Sequence, residues 1–147
     1  DGDPIESLLA VLDAARARLG GEGVEAGSPL AILGAELSLS HPAVRARIAG
    51  SYEAWIARAA GLLVAAGGRL PAGLDRRALA HFILASIEGG ALLARVEGDP
   101  SALDSVVAGL GRHLAVLADG GEEREPRPQP ERPHPPPRPA AADWRAW

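Results

Sequence analysis

The sequence predicts an all-α domain followed by a proline-rich tail, and three observations lead to this prediction. Apolar residues recur at helical spacing through the first 119 residues. Proline and glycine interrupt that pattern where helices are expected to start and stop. From residue 120 onward the composition changes, and eight of the chain's 13 prolines lie in residues 126–139. We therefore expect a bundle of about five helices in one domain over residues 1–119, and a disordered tail over residues 120–147.

The first two predicted helices each begin with a capping residue followed by proline. Asp3 precedes Pro4 and Ser28 precedes Pro29. Asp and Ser side chains accept a hydrogen bond from the first turn of a helix, and proline suits its first position. The first helix is expected to end at Gly20–Gly21. The second helix is apolar on more than one side, which predicts that it is buried.

Three longer helices follow. One begins at Pro42 and ends at residues 67–68, the next is capped by Asp75, and the last follows the pair Asp99–Pro100. No alternating strand pattern competes with these assignments. The five helices therefore account for the whole predicted body.

The fourth helix contains two adjacent glycines, Gly89 and Gly90. A glycine inside a helix costs roughly 0.5–1 kcal/mol relative to alanine. Because this helix is apolar around much of its circumference, we expect it to be covered on two sides. Close approach of a second copy of the chain explains both glycines, whereas packing against the fifth helix alone explains one.

Composition excludes several functions. The net charge of −4 argues against a nucleic-acid-binding surface. The absence of cysteine rules out disulfides, thiolate metal sites and a cysteine nucleophile. The four histidines lack metal-ligand spacing, no serine lies in a nucleophile motif, and no glycine loop has the phosphate-binding pattern. We expect no enzyme activity, catalytic residue, metal or cofactor, and no apolar run long enough to be a membrane span.

Three side chains are candidates for a small-molecule site. Glu36 lies on the second helix, where burial would require either pairing with an arginine or a polar ligand group. Tyr52 and Trp55 lie close together on the third helix and have two interpretations, core packing or the wall of a pocket. Aromatic walls with a few polar groups are typical of small-molecule pockets.

The order of these signals resembles the C-terminal regulatory domain of the tetracycline-repressor (TetR) family of transcriptional regulators. The resemblance covers about residues 4–118. It is closest to a branch whose middle helix opens with Gly-Cys-Pro-Leu, which reads Gly-Ser-Pro-Leu at residues 27–30. The Glu-Gly-Ala-Leu motif of relatives is similar to Glu-Gly-Gly-Ala-Leu at residues 88–92.

The resemblance implies a cytoplasmic homodimer that binds a small hydrophobic effector. The effector site would be formed by Leu9, Leu12, Leu33, Glu36, Leu37, Tyr52, Trp55, Ile56 and Ala59. The last two helices would form a four-helix bundle with their counterparts through Phe82, Ser86, Gly89, Gly90, Leu93, Val106, Leu110, His113 and Leu114.

The family also implies an N-terminal helix-turn-helix domain, and these 147 residues contain no segment that resembles one. Either that domain has been removed or the protein has lost it, and we expect the chain itself not to contact DNA or a membrane. Because methionine is absent, even from the first position, we expect the chain to be a fragment or processed product. The alternative function is a stand-alone helical interaction module that recruits a partner through its proline-rich tail.

Overall fold

The computed structural model describes residues 2–21 and 27–120, and over those residues it contains helices and no strands. The five α-helices are α1 (Pro4–Gly20), α2 (Pro29–Leu37), α3 (Pro42–Ala65), α4 (Arg76–Glu97) and α5 (Ser101–Asp119). A single 3₁₀ turn, Gly67–Arg69, follows α3. The predicted all-α class is confirmed. The predicted proline-rich tail lies outside the described residues, apart from Gly120.

Side-chain caps fix the start of three helices. The carboxylate of Asp3 accepts a hydrogen bond from the backbone N–H of Ile5 at 2.9 Å. Ser28 Oγ accepts from the N–H of Ala31 at 3.3 Å, and Asp75 accepts from the first turn of α4 at 2.9–3.0 Å. Three of the four capping residues that the sequence predicts are therefore confirmed, because capping depends on local order along the chain. The fourth, Asp99, precedes the N-cap Pro100 of α5 and accepts a hydrogen bond from the N–H of Ser101 at 2.8 Å.

The hydrophobic core lies between α1, α3, α4 and α5, with α4 at its centre. Seven residues of α4 are buried, more than in any other helix of the described chain. The largest fully buried side chains belong to Leu8, Leu12, Leu63, Leu70, Ile83, Leu103 and Leu114. By length and composition α4 could also cross a membrane. Buried core helices meet the same criterion, so it carries little weight for this helix.

The helices α4 and α5 form an antiparallel pair joined by a tight turn. Gly98 ends α4 with a φ of 67°, in the left-handed region that favours glycine. A Cβ added at Gly90 would lie 3.1 Å from Val106 Cγ2 and 3.3 Å from Leu103 Cα. Gly90 is therefore explained within the chain, by the close approach of α5.

The predicted burial of α2 is wrong. None of its residues is buried, Leu33 is 42% exposed, and Glu36 is exposed. The physical reason is position: α2 packs on the first part of α3, with Gly34 facing Ile48, at the margin of the bundle. Its apolar residues therefore line a surface groove and do not enter the core.

Candidate functional site

An inner cavity of about 110 Å³ lies where α1, α3 and α4 meet the start of α2. Its walls are apolar side chains interrupted by a few polar ones, the composition expected of a small-molecule site. The lining residues are Ala15, Arg18, Leu19, Ser28, Leu30, Ser51, Tyr52, Trp55, Leu84, Ile87 and Glu88. We call this space the inner cavity.

A larger and more open groove of about 370 Å³ runs between α2 and α4. It is lined by Ala31, Ile32, Ala35, Glu36, Glu88, Gly89, Leu92 and Arg95, and we call it the α2–α4 groove. Glu88 is the one residue that lines both spaces. The two spaces therefore adjoin at the Glu88 side chain.

The carboxyl group of Glu88 is the most unusual polar group in this region. Its Oε2 atom is buried and has no hydrogen-bond partner among residues 2–21 and 27–120. A buried polar atom without a partner is costly, and a carboxylate oxygen more so than a neutral one. Such an atom next to a cavity indicates a place where an incoming hydrogen-bond donor would be stabilised.

Tyr52 and Ser28 lie beside Glu88. Burial raises the pKa of the Tyr52 hydroxyl above its ordinary value of 10.0, and Glu88 raises it further, through its negative charge and through a hydrogen bond that the hydroxyl donates to its carboxyl group. Ser28 acts in the opposite direction, through a hydrogen bond to the Tyr52 oxygen. The hydroxyl thus stays protonated at neutral pH, and the site presents a carboxylate and two hydroxyls to the cavity.

The residues predicted to bind the effector fall into three groups. Tyr52 and Trp55 line the inner cavity, and Ala59 and Trp55 line a separate cleft beside α1. Glu36 lines the mouth of the α2–α4 groove. The others lie in the core or on the outside of α2, namely Leu9, Leu12, Ile56, Leu33 and Leu37.

Sequence reasoning selected Glu36 and passed over Glu88. Both glutamates lie on helices that are apolar on several sides, so periodicity could not rank them. The signal that favours Glu88 is its place on the long core helix α4, one residue before the two glycines. Its nearness to Tyr52 depends on how α3 and α4 pack, which no local pattern encodes.

The residues predicted for dimerisation occupy two different environments. Gly90, Leu110 and Leu114 are buried inside the chain. The remaining residues, Phe82, Ser86, Gly89, Leu93, Val106 and His113, are exposed or half-buried along one side of the α4–α5 pair. Phe82 packs edge-on against His113 there, with ring centroids 6.1 Å apart.

This side of the α4–α5 pair exposes several large apolar side chains. Phe82 is 53% exposed, Leu93 is 52% exposed and Val96 is 76% exposed. A shallow groove of about 300 Å³ lies between the two helices, lined by Phe82, Ser86, Val106, Gly109, Leu110 and His113. We call the surface formed by these residues with Gly89, Leu93 and Val96 the α4–α5 face.

No group of three or more His, Asp and Glu side chains in the described part of the chain is arranged to hold a metal ion. What the described residues do provide is a helical bundle with an apolar cavity and an uncovered helix pair.

Comparison with known proteins establishes the family. Residues 4–108 match the model of the C-terminal domain of LmrA/YxaF-like transcriptional regulators, and the chain belongs to that family. The resemblance drawn from the sequence motifs is therefore confirmed. No curated protein and no solved structure matches the chain.

Proposed function

We propose that this domain is the effector-binding and dimerisation part of a transcriptional regulator, with a small, largely apolar effector controlling DNA binding by a helix-turn-helix domain outside these residues. Membership of the LmrA/YxaF-like family supports a regulatory role in the cytoplasm. The observation that carries the binding role is the polar group of Glu88, Tyr52 and Ser28 at an otherwise apolar cavity.

The adjoining inner cavity and α2–α4 groove form the effector site in this proposal. The inner cavity alone holds only a small group, but the groove continues from Glu88 toward solvent. Because α2 has no buried residues, it can move relative to α3 and α4 at small cost in packing. The α2 helix therefore provides the entrance to the site.

The α4–α5 face is the dimer interface in this proposal. Monomeric proteins rarely leave large contiguous apolar patches in water. Gly89 lies within this face, and a Cβ added to it would meet no other atom of the described chain within 4 Å. Nothing inside the described chain requires a glycine there, whereas a closely approaching second helix, or a ligand in the adjoining α2–α4 groove that Gly89 also lines, would.

Helix α4 connects the two roles. Glu88 lines the effector site, and its neighbour Gly89 lies at the boundary between the α2–α4 groove and the α4–α5 face. Tyr52 and Trp55 link the same site to the long helix α3. An effector that prefers one arrangement of α3 and α4 would shift the population of dimer arrangements, and with it the spacing of the DNA-binding domains.

The first test is the mass of the protein in solution, measured by analytical ultracentrifugation. We expect the wild-type chain to be a dimer at micromolar concentration and Leu93→Arg to be a folded monomer, because a desolvated charge in an apolar interface is strongly unfavourable. Leu39→Arg is the matched control, since Leu39 is 94% exposed at the far end of α2. A wild-type monomer, or a Leu93→Arg dimer as stable as wild type, would contradict the proposed interface.

A further inference from the structure

We infer that the effector carries a basic nitrogen, and that Glu88 is the residue that recognises it. This inference rests on the proposed effector site and adds the chemical class of its ligand: an amphipathic amine with an apolar or aromatic body. The carboxylate of Glu88 would accept a charge-assisted hydrogen bond from the ammonium group, and the body would lie in the α2–α4 groove.

The buried Oε2 atom of Glu88 indicates that the ligand carries a hydrogen-bond donor. Oε2 is buried, accepts no hydrogen bond from the described residues, and lies at the junction of the two spaces. An ionised carboxyl group can only accept hydrogen bonds. A ligand carboxylate or phosphate would face a like charge at this position, whereas an ammonium group supplies both the donor and the opposite charge.

Within the groove itself, carboxylates outnumber arginines. Glu36 and Glu88 line it against Arg95. A second arginine, Arg18, lies on the far side of Glu88, in the lining of the inner cavity. The side-chain methylenes of Arg95 pack against Gly27, close enough that a Cβ there would lie 3.0 Å from Arg95 Cδ. This contact holds the arginine stem against the segment before α2, and the guanidinium does not hydrogen-bond Oε2 of Glu88.

The apolar walls define the rest of the ligand. Ala31, Ile32, Ala35 and Leu92 offer methyl and methylene surface along the groove, and Gly89 leaves its floor without a side chain. Tyr52 and Trp55 add aromatic surface at the inner end. Aromatic faces attract cations as well as apolar groups. The site therefore suits an ammonium group at the inner end and a flat or chain-like body outward.

The test compares three probes that share one apolar body: 4-phenylbutylamine, 4-phenylbutan-1-ol and 4-phenylbutyrate. Binding to the full chain is measured by ligand-observed NMR for wild type, Glu88→Gln and Glu97→Gln. We expect wild type to bind the amine about tenfold more tightly than the alcohol, as a charge-assisted hydrogen bond provides, and the acid most weakly. Glu88→Gln should lose the preference for the amine and keep its affinity for the alcohol.

Glu97→Gln is the matched control, because Glu97 is an exposed glutamate on the same helix that lines neither the groove nor the inner cavity. Its preference for the amine should stay within about twofold of wild type, as expected for an exposed charge. Both variants should keep the wild-type melting temperature or exceed it, which excludes unfolding as the cause. Glutamine at position 88 keeps the shape of glutamate and removes the charge from a half-buried carboxyl group whose Oε2 atom has no hydrogen-bond partner among the described residues.

Two outcomes overturn the inference in distinguishable ways. If the alcohol or the acid binds as tightly as the amine, or if the preference survives Glu88→Gln, the amine class is wrong and the effector site remains. If none of the three probes binds at millimolar concentration, both the amine class and the proposed effector site are contradicted.

Discussion

The two adjacent glycines of α4 lie in opposite environments. Gly90 is buried, and α5 approaches it so closely that a methyl group would contact the Leu103 backbone. Gly89 is exposed, and no atom of the described chain would meet a methyl group placed there. One glycine is therefore explained by the fold of a single chain, and the other requires an explanation outside it. Gly90 therefore belongs to the packing that stabilises the domain, and Gly89 belongs to a surface through which the domain can contact other molecules.

The largest difference between the two positions should appear on substitution by alanine. Gly90→Ala is expected to lower the free energy of unfolding by about 1–3 kcal/mol, the usual cost of overpacking, less the small gain in helix propensity. Gly89→Ala is expected to raise it by about 0.5–1 kcal/mol, because alanine favours the helix and meets no neighbour. Urea unfolding followed by circular dichroism measures both.

Both substitutions are best made in the Leu93→Arg background, so that self-association does not contribute to stability. Equal destabilisation by the two alanines would show that Gly89 is also packed against its own chain. In the wild-type background Gly89→Ala should instead weaken the dimer, which sedimentation at a series of concentrations would detect.

A smaller effect is expected on the ionisation of Tyr52, which lies beside Glu88 on the groove side of α4. Tyr52 is the only tyrosine in the chain, so its ionisation can be followed directly by ultraviolet absorbance. The pKa of Tyr52 is raised by burial and by the charge of Glu88. We expect Glu88→Gln to bring this pKa back toward 10.0 and Glu36→Gln to leave it unchanged. An unchanged titration in Glu88→Gln would show that the two side chains do not interact.

The same titration has a consequence for stability. Since the folded-state pKa of Tyr52 lies above the unfolded value, the neutral hydroxyl is favoured by folding. This contribution is constant below the unfolded pKa and is lost as the pH rises through the folded pKa. The alkaline loss of stability due to Tyr52 should therefore be smaller in Glu88→Gln than in wild type and be complete at lower pH, because the folded and unfolded pKa values then lie closer together.

The boundaries of the five helices could be predicted because their signals are local. Asp3, Ser28 and Asp75 each cap the helix that directly follows, and Gly98 ends α4. The burial of α2 could not be predicted in the same way. Its sequence is apolar on several sides, but only packing decides whether those sides meet a core, a groove or solvent.

The residues of the candidate site could be predicted from the sequence only in part. Tyr52 and Trp55 were identified because aromatic residues are rare in this chain, and they do line the inner cavity. Glu88 was missed because its neighbours come from α3 and from the start of α2, far away in sequence. Gly89 and Gly90 were assigned together, whereas consecutive residues on a helix point about 100° apart and therefore meet different neighbours.

Cysteine crosslinking tests most directly whether a second copy covers the α4–α5 face. The chain contains no cysteine, so single substitutions at Ser86, Gly89 and Leu93 each introduce one unique thiol. A disulfide requires Cα atoms within about 7 Å, so only residues near the twofold axis of a dimer can crosslink to themselves. Val64→Cys, on α3 and at least as exposed as Leu93, is the control. We predict a disulfide-linked dimer under mild oxidation for at least one of the three and none for Val64→Cys. Crosslinking of Val64→Cys alone, or of none of the three, would contradict a dimer built on this face.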